Sequence, residues 1–257
     1  MKRLFTVWGA LAVSGVLNTA SIITMAMAGL MTALIISPMA RAETTPAELP
    51  TLVKASYKIY KGSLLIGQND EVFERKGMRY TITSDTHAEG PLAIFFKERI
   101  LYKSEGLIGP QGLQPAAFEQ VRADASRSTY AKFDWDKKDI VSLRNGNTET
   151  FDLPDGTQDR LSSMYQFMLA VPRTSQLTVW MSQGKRSEKY VYQKQGEPTI
   201  KTPIGDFATV FYSRDAKEGE SKSQLWLAKN KFHLPVRIIF EDKNGAFEQV
   251  LASLSVQ

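Results

Sequence analysis

Cysteine is absent from the chain, and only two histidines occur, His87 and His233. The first absence excludes disulfides, thiolate nucleophiles, cysteine-ligated zinc and lipid attachment at a cysteine. The second leaves little material for a histidine metal centre or a histidine relay. No run of Lys or Arg exceeds a pair, so the basic stripe that a nucleic-acid partner needs is missing. There is also no G-x-S-x-G elbow, no H-E-x-x-H, no P-loop and no G-x-G-x-x-G on a strand-to-helix turn. What remains is a chain of 257 residues, 43% hydrophobic and 23% charged, the composition of an ordinary folded protein.

The first 42 residues stand apart. Lys2 and Arg3 open them, no acidic residue appears before Glu43, and Ala40-Arg41-Ala42 fits the small-x-small rule for signal peptidase. The apolar stretch from Leu4 to Met39 is broken only at Asn18-Thr19-Ala20-Ser21. As one helix it would run about 50 Å, beyond a ~30 Å hydrocarbon core. The expectation is a signal peptide cleaved before Glu43, with the body of the chain in the periplasm. A retained inner-membrane anchor is the alternative, and a start codon placed too early would also explain the length. Cleavage removes Lys2, Arg3 and Arg41, so the formal charge falls from +5 to +2.

Residues 43–51 read as a short polar leader, and 52–257 as one β-rich domain. Val53 to Tyr60 places Ala55, Tyr57 and Ile59 on one face and Lys54, Ser56 and Lys58 on the other, the period of a half-buried strand. Turn pairs follow at Lys61-Gly62, Lys76-Gly77, Asn145-Gly146, Gln183-Gly184, Gln195-Gly196 and Asn244-Gly245. The two Asn-Gly pairs are strong hairpin signals because both positions tolerate positive φ. About fourteen strands are expected, at the ~8–12 residue spacing of sandwiches and barrels. One segment departs from this pattern. Leu161, Met164, Tyr165, Met168 and Leu169 recur at helical spacing, with Thr157 as N-cap, Asp159 in the first turn and Pro172 beyond the end. Ser162 and Gln166 project away from that stripe. A weaker helical turn is expected at Pro91 to Phe96. The fold predicted is mainly β: a strongly curved or closed antiparallel meander, with one amphipathic helix on or in its concave face. An outer-membrane barrel is disfavoured by charged strands such as Arg186 to Tyr190, so the mature domain is not expected to span a membrane.

Several local strings carry a resemblance. Phe133-Asp134-Trp135 lies on a strand, and Gly156-Thr157-Gln158-Asp159-Arg160-Leu161-Ser162-Ser163 opens the helix. Thr202-Pro203-Ile204-Gly205 makes a turn, and Leu225-Trp226-Leu227-Ala228 precedes Leu234-Pro235-Val236-Arg237-Ile238. In this order and spacing they resemble the bacterial domain of unknown function 3108 family, exported proteins common in Gram-negative bacteria. The resemblance spans Tyr57 to Leu254. It implies an exported β-rich domain with no established activity, and it transfers no catalytic residue.

The residues with chemistry to offer each have a plain structural role as well. Asp134 and Asp136 flank Trp135 on one strand face, where two carboxylates can bind a cation or share a proton; Asp136 also suits a turn. Asp159 serves a helix start electrostatically. Arg160 beside it, turned toward the sheet, can pair with a strand carboxylate or an anionic headgroup. Arg237, on the face shared with Ile239, suits an internal salt bridge or a ligand. Trp135, Trp180 and Trp226 fit a core, or an apolar pocket with a few polar anchors. His87 falls in an acidic loop, and His233 in a loop entering a strand.

The candidate ligand contacts are therefore Asp134, Trp135, Asp159, Arg160, Trp226 and Arg237, with no catalytic residue, metal or cofactor expected. The function expected is a non-enzymatic periplasmic protein whose sheet encloses an apolar interior for a lipid-like or amphipathic molecule, or which meets an envelope partner. A hydrolase or lyase acting on an envelope polymer through Asp134, Asp159 and a histidine is the rival reading. A purely structural envelope interaction protein is the third.

Overall fold

The computed structural model describes residues 49–90, 93, 99–170, 174–214, 221–242 and 245–257. The expected signal peptide, most of the leader, the turn at Pro91 to Phe96 (except Ala93) and Pro172 lie outside these residues. Among the described residues no helix is long and apolar enough to cross a membrane.

Among the described residues fifteen antiparallel strands form the body, where about fourteen are expected. They are β1 (Leu52–Lys61), β2 (Leu64–Lys76), β3 (Arg79–Ala88), β4 (Arg99–Gly109), β5 (Gly112–Arg122), β6 (Thr129–Asp134), β7 (Asp139–Arg144) and β8 (Asn147–Asp152), then β9 (Gln176–Met181), β10 (Glu188–Gly196), β11 (Thr199–Thr202), β12 (Gly205–Arg214), β13 (Lys222–Ala228), β14 (Pro235–Asp242) and β15 (Gly245–Val256). Two-residue turns join β1 to β2, β2 to β3, β4 to β5 and β7 to β8, so this part of the sheet grows as a meander. Asn145 and Gly146 take φ of 48° and 74° between β7 and β8, the two positive values that a two-residue hairpin requires. β1 and β15 pair in mid-sheet, with Val53 opposite Val256. The order runs β8 through β1, then β15 back through β12 to β10 and β9, with β11 branching off β12.

The curved sheet does not close: β8 and β9 are its two ends. The connection between them bridges part of the gap. Gln158 donates its backbone N–H to Trp180 and accepts from Ser182, both at 2.8 Å. The hairpin joining β9 to β10 leans on β7, where the Ser142 hydroxyl donates to the Gly184 carbonyl at 2.7 Å. Only glycine permits this approach. At Gly184, with φ of 72°, a Cβ would lie 2.5 Å from Thr129 Cγ2.

The expected helix is shorter than its periodicity implies. It comprises one α-turn, α1 (Ser162–Tyr165), continued by a 3₁₀ turn over Gln166–Met168. Leu161, Tyr165 and Met168 pack with Val53, Phe73, Ile82, Phe118 and Ile140 of β1 to β7. Phe167, outside the predicted stripe, packs with Tyr192, Val210, Tyr212, Leu225 and Leu227 of β10 to β13. The segment thus lies between the two arms of the sheet, with only Met164, Gln166 and Leu169 part-exposed and Ala170 exposed at its end. That is why Ser162 and Gln166 depart from expectation. Ser162 is fully buried, its hydroxyl accepting from the Asp159 N–H at 2.8 Å. Gln166 accepts from the Leu113 N–H at 2.6 Å and donates to the Gln111 carbonyl. Thr157 does not cap the helix; its hydroxyl donates to the Pro154 carbonyl, and the Asp159 carboxylate receives the Leu161 and Ser162 N–H groups instead.

Candidate functional site

Alternation along β1 to β4 brings polar side chains to the inner face. Asp159 is sealed there, its Oδ2 accepting from the Ser104 hydroxyl at 2.5 Å and its Oδ1 from two backbone N–H groups. Burial pushes its carboxyl up to about 6 despite these donors, because desolvation penalises the charged form. The Tyr80 hydroxyl lies 3.3 Å from Ser104 and extends the chain of contacts. Glu71 sits nearby on β2, accepting from Asn69 at 2.9 Å while Asn69 accepts from Ser84 and Thr86. Burial raises the Glu71 carboxyl as well, and the charge of Arg160 opposes that rise. Arg160 is half-buried with its guanidinium 5.1 Å from the Tyr102 ring centre. Asp159 thus ties the start of α1 to Ser104 of β4, and neither acid lines the openings described below.

The other candidates lie elsewhere. Asp134 ends β6 and accepts from the Lys137 N–H at 3.0 Å; that bond and the Lys137 ammonium hold its carboxyl below the usual range. Trp135, beside it, donates its indole N–H to the Pro115 carbonyl at 2.6 Å. Trp226 and Arg237 are opposite each other in register on β13 and β14. Trp226 stacks on Phe211 with ring centres 4.4 Å apart, Arg237 lies 4.9 Å from the Trp226 ring, and its Nε meets Glu248 at 2.6 Å. Leu225 and Leu227, which pack with Phe167, take the alternate positions of β13, so this stack lies on the face away from α1. The six candidates therefore form three separate groups: Asp134 with Trp135, Asp159 with Arg160, and Trp226 with Arg237.

The histidines are apart from all three. His87 lies within β3 rather than in a loop, 3.7 Å from Asp85, which Arg99 already engages. His233 sits between β13 and β14 with φ of 53°, its imidazole lowered by burial and then by Lys229. Among the described residues no group of three or more His, Asp or Glu is placed to hold a metal ion.

A different set of residues converges between β5–β7 and the hairpin that follows β9. A cavity of about 350 Å³ is lined by Arg122 of β5, Arg127, Arg144 of β7, and Lys185 and Arg186 of the hairpin after β9. Gln120, Thr129, Met181, Gln183, Glu188 and Tyr190 complete its wall. Five cationic side chains thus meet one carboxylate, and Glu188 accepts from the Tyr190 hydroxyl at 2.7 Å. The Tyr190 ring is backed by Arg214, 4.3 Å from its centre. Gln120 and Thr129 also border a groove of about 370 Å³ that passes Ala125, Tyr130 and Leu143. Tyr130 and Leu143 are paired in register and are 44% and 47% exposed, a paired apolar surface left open to water.

Sequence reasoning missed this pocket. Its cations come from positions 122, 127, 144, 185 and 186, and only the Lys185-Arg186 pair is visible as a local feature.

Comparison with known proteins adds the following. The family model described as "Protein of unknown function (DUF3108)" matches residues 56–252. No curated protein matches. Among solved structures, the chain is similar to a crystal structure described as a beta-barrel-like protein of domain of unknown function DUF1849 from Brucella abortus. The TM-score is 0.54 at 12% identity, over 81% of this chain and 99% of that one. At that identity the likeness shows the fold alone.

Proposed function

The chain belongs to the DUF3108 family, and from that premise we propose that it is a non-enzymatic, exported envelope protein that binds an amphipathic molecule at the open seam of its sheet. The observation that carries this reading is the cation-lined cavity bordering, at Gln120 and Thr129, a groove that is apolar at Ala125, Tyr130 and Leu143 and polar at Glu119, Ser126, Ser128 and Asn145. The first offers ion pairing and hydrogen bonds to a charged head, and the second offers a partly apolar surface to a short chain. The packing of α1 argues against binding in the interior. Leu161, Tyr165, Phe167 and Met168 fill the space between the arms at 3% exposure or less. The hydrolase reading loses support because Asp134 is engaged at the end of β6, Asp159 is sealed and the histidines stand apart.

Export rests on the N-terminal pattern: a basic start, a long apolar stretch and Ala40-Arg41-Ala42. N-terminal sequencing of the protein from a Gram-negative periplasmic fraction should give Glu43, and finding Met1 would overturn export. Native mass spectrometry tests the binding. Addition of short-chain amphiphiles with anionic, zwitterionic or non-ionic heads should produce a stoichiometric adduct with at least one class. No adduct with any head at millimolar concentration would defeat the proposal.

A further inference from the structure

The two lips of the open sheet are β8 on one side and β9 with the hairpin after it on the other. We propose that β8 is a docking edge for a partner protein, which adds there an extended segment of alternating apolar and basic residues. The docking needs no ligand in the cavity.

The register shows which backbone groups β8 leaves open. Around the Asn145-Gly146 turn, Arg144 stands opposite Asn147 and Ser142 opposite Glu149. In an antiparallel pair, residues alternate between those bonded to the partner strand and those turned away from it. The bond from the Leu153 N–H to the Lys138 carbonyl fixes the phase. Asn147, Glu149 and Phe151 therefore bond β7, while Thr148, Thr150 and Asp152 turn their N–H and C=O groups outward. The 3.4 Å contact from the Ser187 hydroxyl to the Asp152 carbonyl agrees with that direction. Among the described residues nothing bonds the outward backbone of Thr148 or Thr150, and both residues are exposed. Open donors and acceptors at this spacing are matched by another extended strand. The opposite lip is less available, because Gln158 already bonds the Trp180 carbonyl and the Ser182 N–H.

Side chains define the kind of strand. Thr150 lies opposite Val141 and Thr148 opposite Leu143, and these two apolar residues are 36% and 47% exposed. Apolar side chains set beside the threonines extend both rows. Glu149 falls on the other face, and Asp152 stands opposite Asp139, a like-charge pair. Lys137 and Lys138 are engaged with Asp134 and Asp155. Among the described residues neither Glu149 nor Asp152 makes an ion pair. Basic side chains beside these two acids complement the edge, whereas a second copy of β8 would bring the same carboxylates to it. Read antiparallel from Asp152 to Asn147, the complement is basic, neutral, apolar, basic, apolar, neutral.

The probe is the peptide acetyl-Lys-Thr-Val-Lys-Val-Thr-amide, which follows that order, beside a version with glutamate for lysine and a version N-methylated at both valines. NMR titration and amide hydrogen exchange of the protein read the result. The lysine peptide should bind about tenfold tighter than the glutamate peptide. N-methylation removes the donors that would meet Thr148 and Thr150, and should abolish binding. Bound lysine peptide should slow exchange at the Thr148 and Thr150 amides about tenfold, while Glu149 and Phe151, already bonded to β7, change little. Glu149→Lys should weaken the lysine peptide about tenfold, the loss of one charge-assisted contact. Thr150→Ala keeps the backbone N–H and should leave binding unchanged. The exchange and N-methylation readouts use the unaltered protein, so they hold even where a variant folds poorly.

Binding that leaves the Thr148 and Thr150 amides unprotected would place the peptide elsewhere and overturn the proposal. Equal affinity for the lysine and glutamate peptides would overturn it too, as would no binding at millimolar concentration. Protection of the two amides that appears without peptide and grows with protein concentration would identify a second copy as the occupant, and the basic partner would be refuted.

Discussion

Replacing Asp159 by asparagine tests whether the carboxylate beneath α1 is held against its preference. In the folded protein this carboxyl is sealed and titrates near 6, against 3.8 for the ordinary group. The displacement corresponds to about 3 kcal/mol, at ~1.36 kcal/mol per pH unit. The sign follows from linkage. A group whose folded pKa is raised binds its proton more tightly in the native state, so its contribution is complete below pH 3.8 and is lost as pH climbs through about 6. Asparagine carries no charge and keeps an oxygen for the Leu161 and Ser162 N–H groups, while its amide can donate to the Ser104 hydroxyl. At pH 4 the variant should therefore lie within about 1 kcal/mol of the wild type. By pH 7.5 it should have gained about 3 kcal/mol relative to the wild type.

Urea denaturation followed by tryptophan fluorescence, at half-unit steps from pH 4 to 8, measures both curves. Glu71, raised in the same direction, and Asp134, held low, are present in both proteins and cancel in the difference. Parallel curves would show that Asp159 is not desolvated as the structure places it. A variant that loses ground as pH rises would show that the ionised carboxylate is required, and the reasoning would be wrong in sign.

Three further outcomes follow from the same packing. Phe167→Ala should lower stability by about 3–5 kcal/mol, read as a fall in urea midpoint, because Phe167 joins α1 to the β10–β13 arm; a change below 1 kcal/mol would detach α1 from that arm. Gln166→Ala should cost about 1–3 kcal/mol by leaving the Leu113 N–H unpartnered, whereas a solvent-facing glutamine would cost almost nothing in the same assay. Gly184→Ala forces a side chain into the left-handed region and against Thr129. It should lower stability by about 1–3 kcal/mol and speed amide exchange at the β9–β10 hairpin, and unchanged exchange there would mean that the lips do not meet at this turn.

The strands were legible because each carries its own evidence. Alternation in Val53 to Tyr60 needs no partner to be read, and Asn145-Gly146 announces a hairpin through the backbone freedom of two residues. The family strings were legible for the same reason, being local and in order. For α1 the reading was half complete. Leu161, Tyr165 and Met168 are buried as their spacing demands, but periodicity assumes that a helix has a wet side. Between two arms of a sheet that side is largely lost, so Phe167 and Gln166 had to find partners that no window of sequence contains, while Ser162 turned back on Asp159.

The seam pocket follows the opposite logic and explains why the candidate residues dispersed. Asp134, Asp159 and Arg237 drew attention as polar groups at marked local positions: a turn, a helix start, a strand between apolar neighbours. Such positions already supply partners, namely Lys137, Ser104 and Glu248, so the local signal that singles a residue out also marks it as engaged. Arg144 and Lys185 carry no such signal. They gain meaning only when a meander fails to close and its ends, about forty positions apart in the chain between 144 and 185, face each other with the same charge. In a fold built from local hairpins, residues distant in the chain converge where the pairing ends.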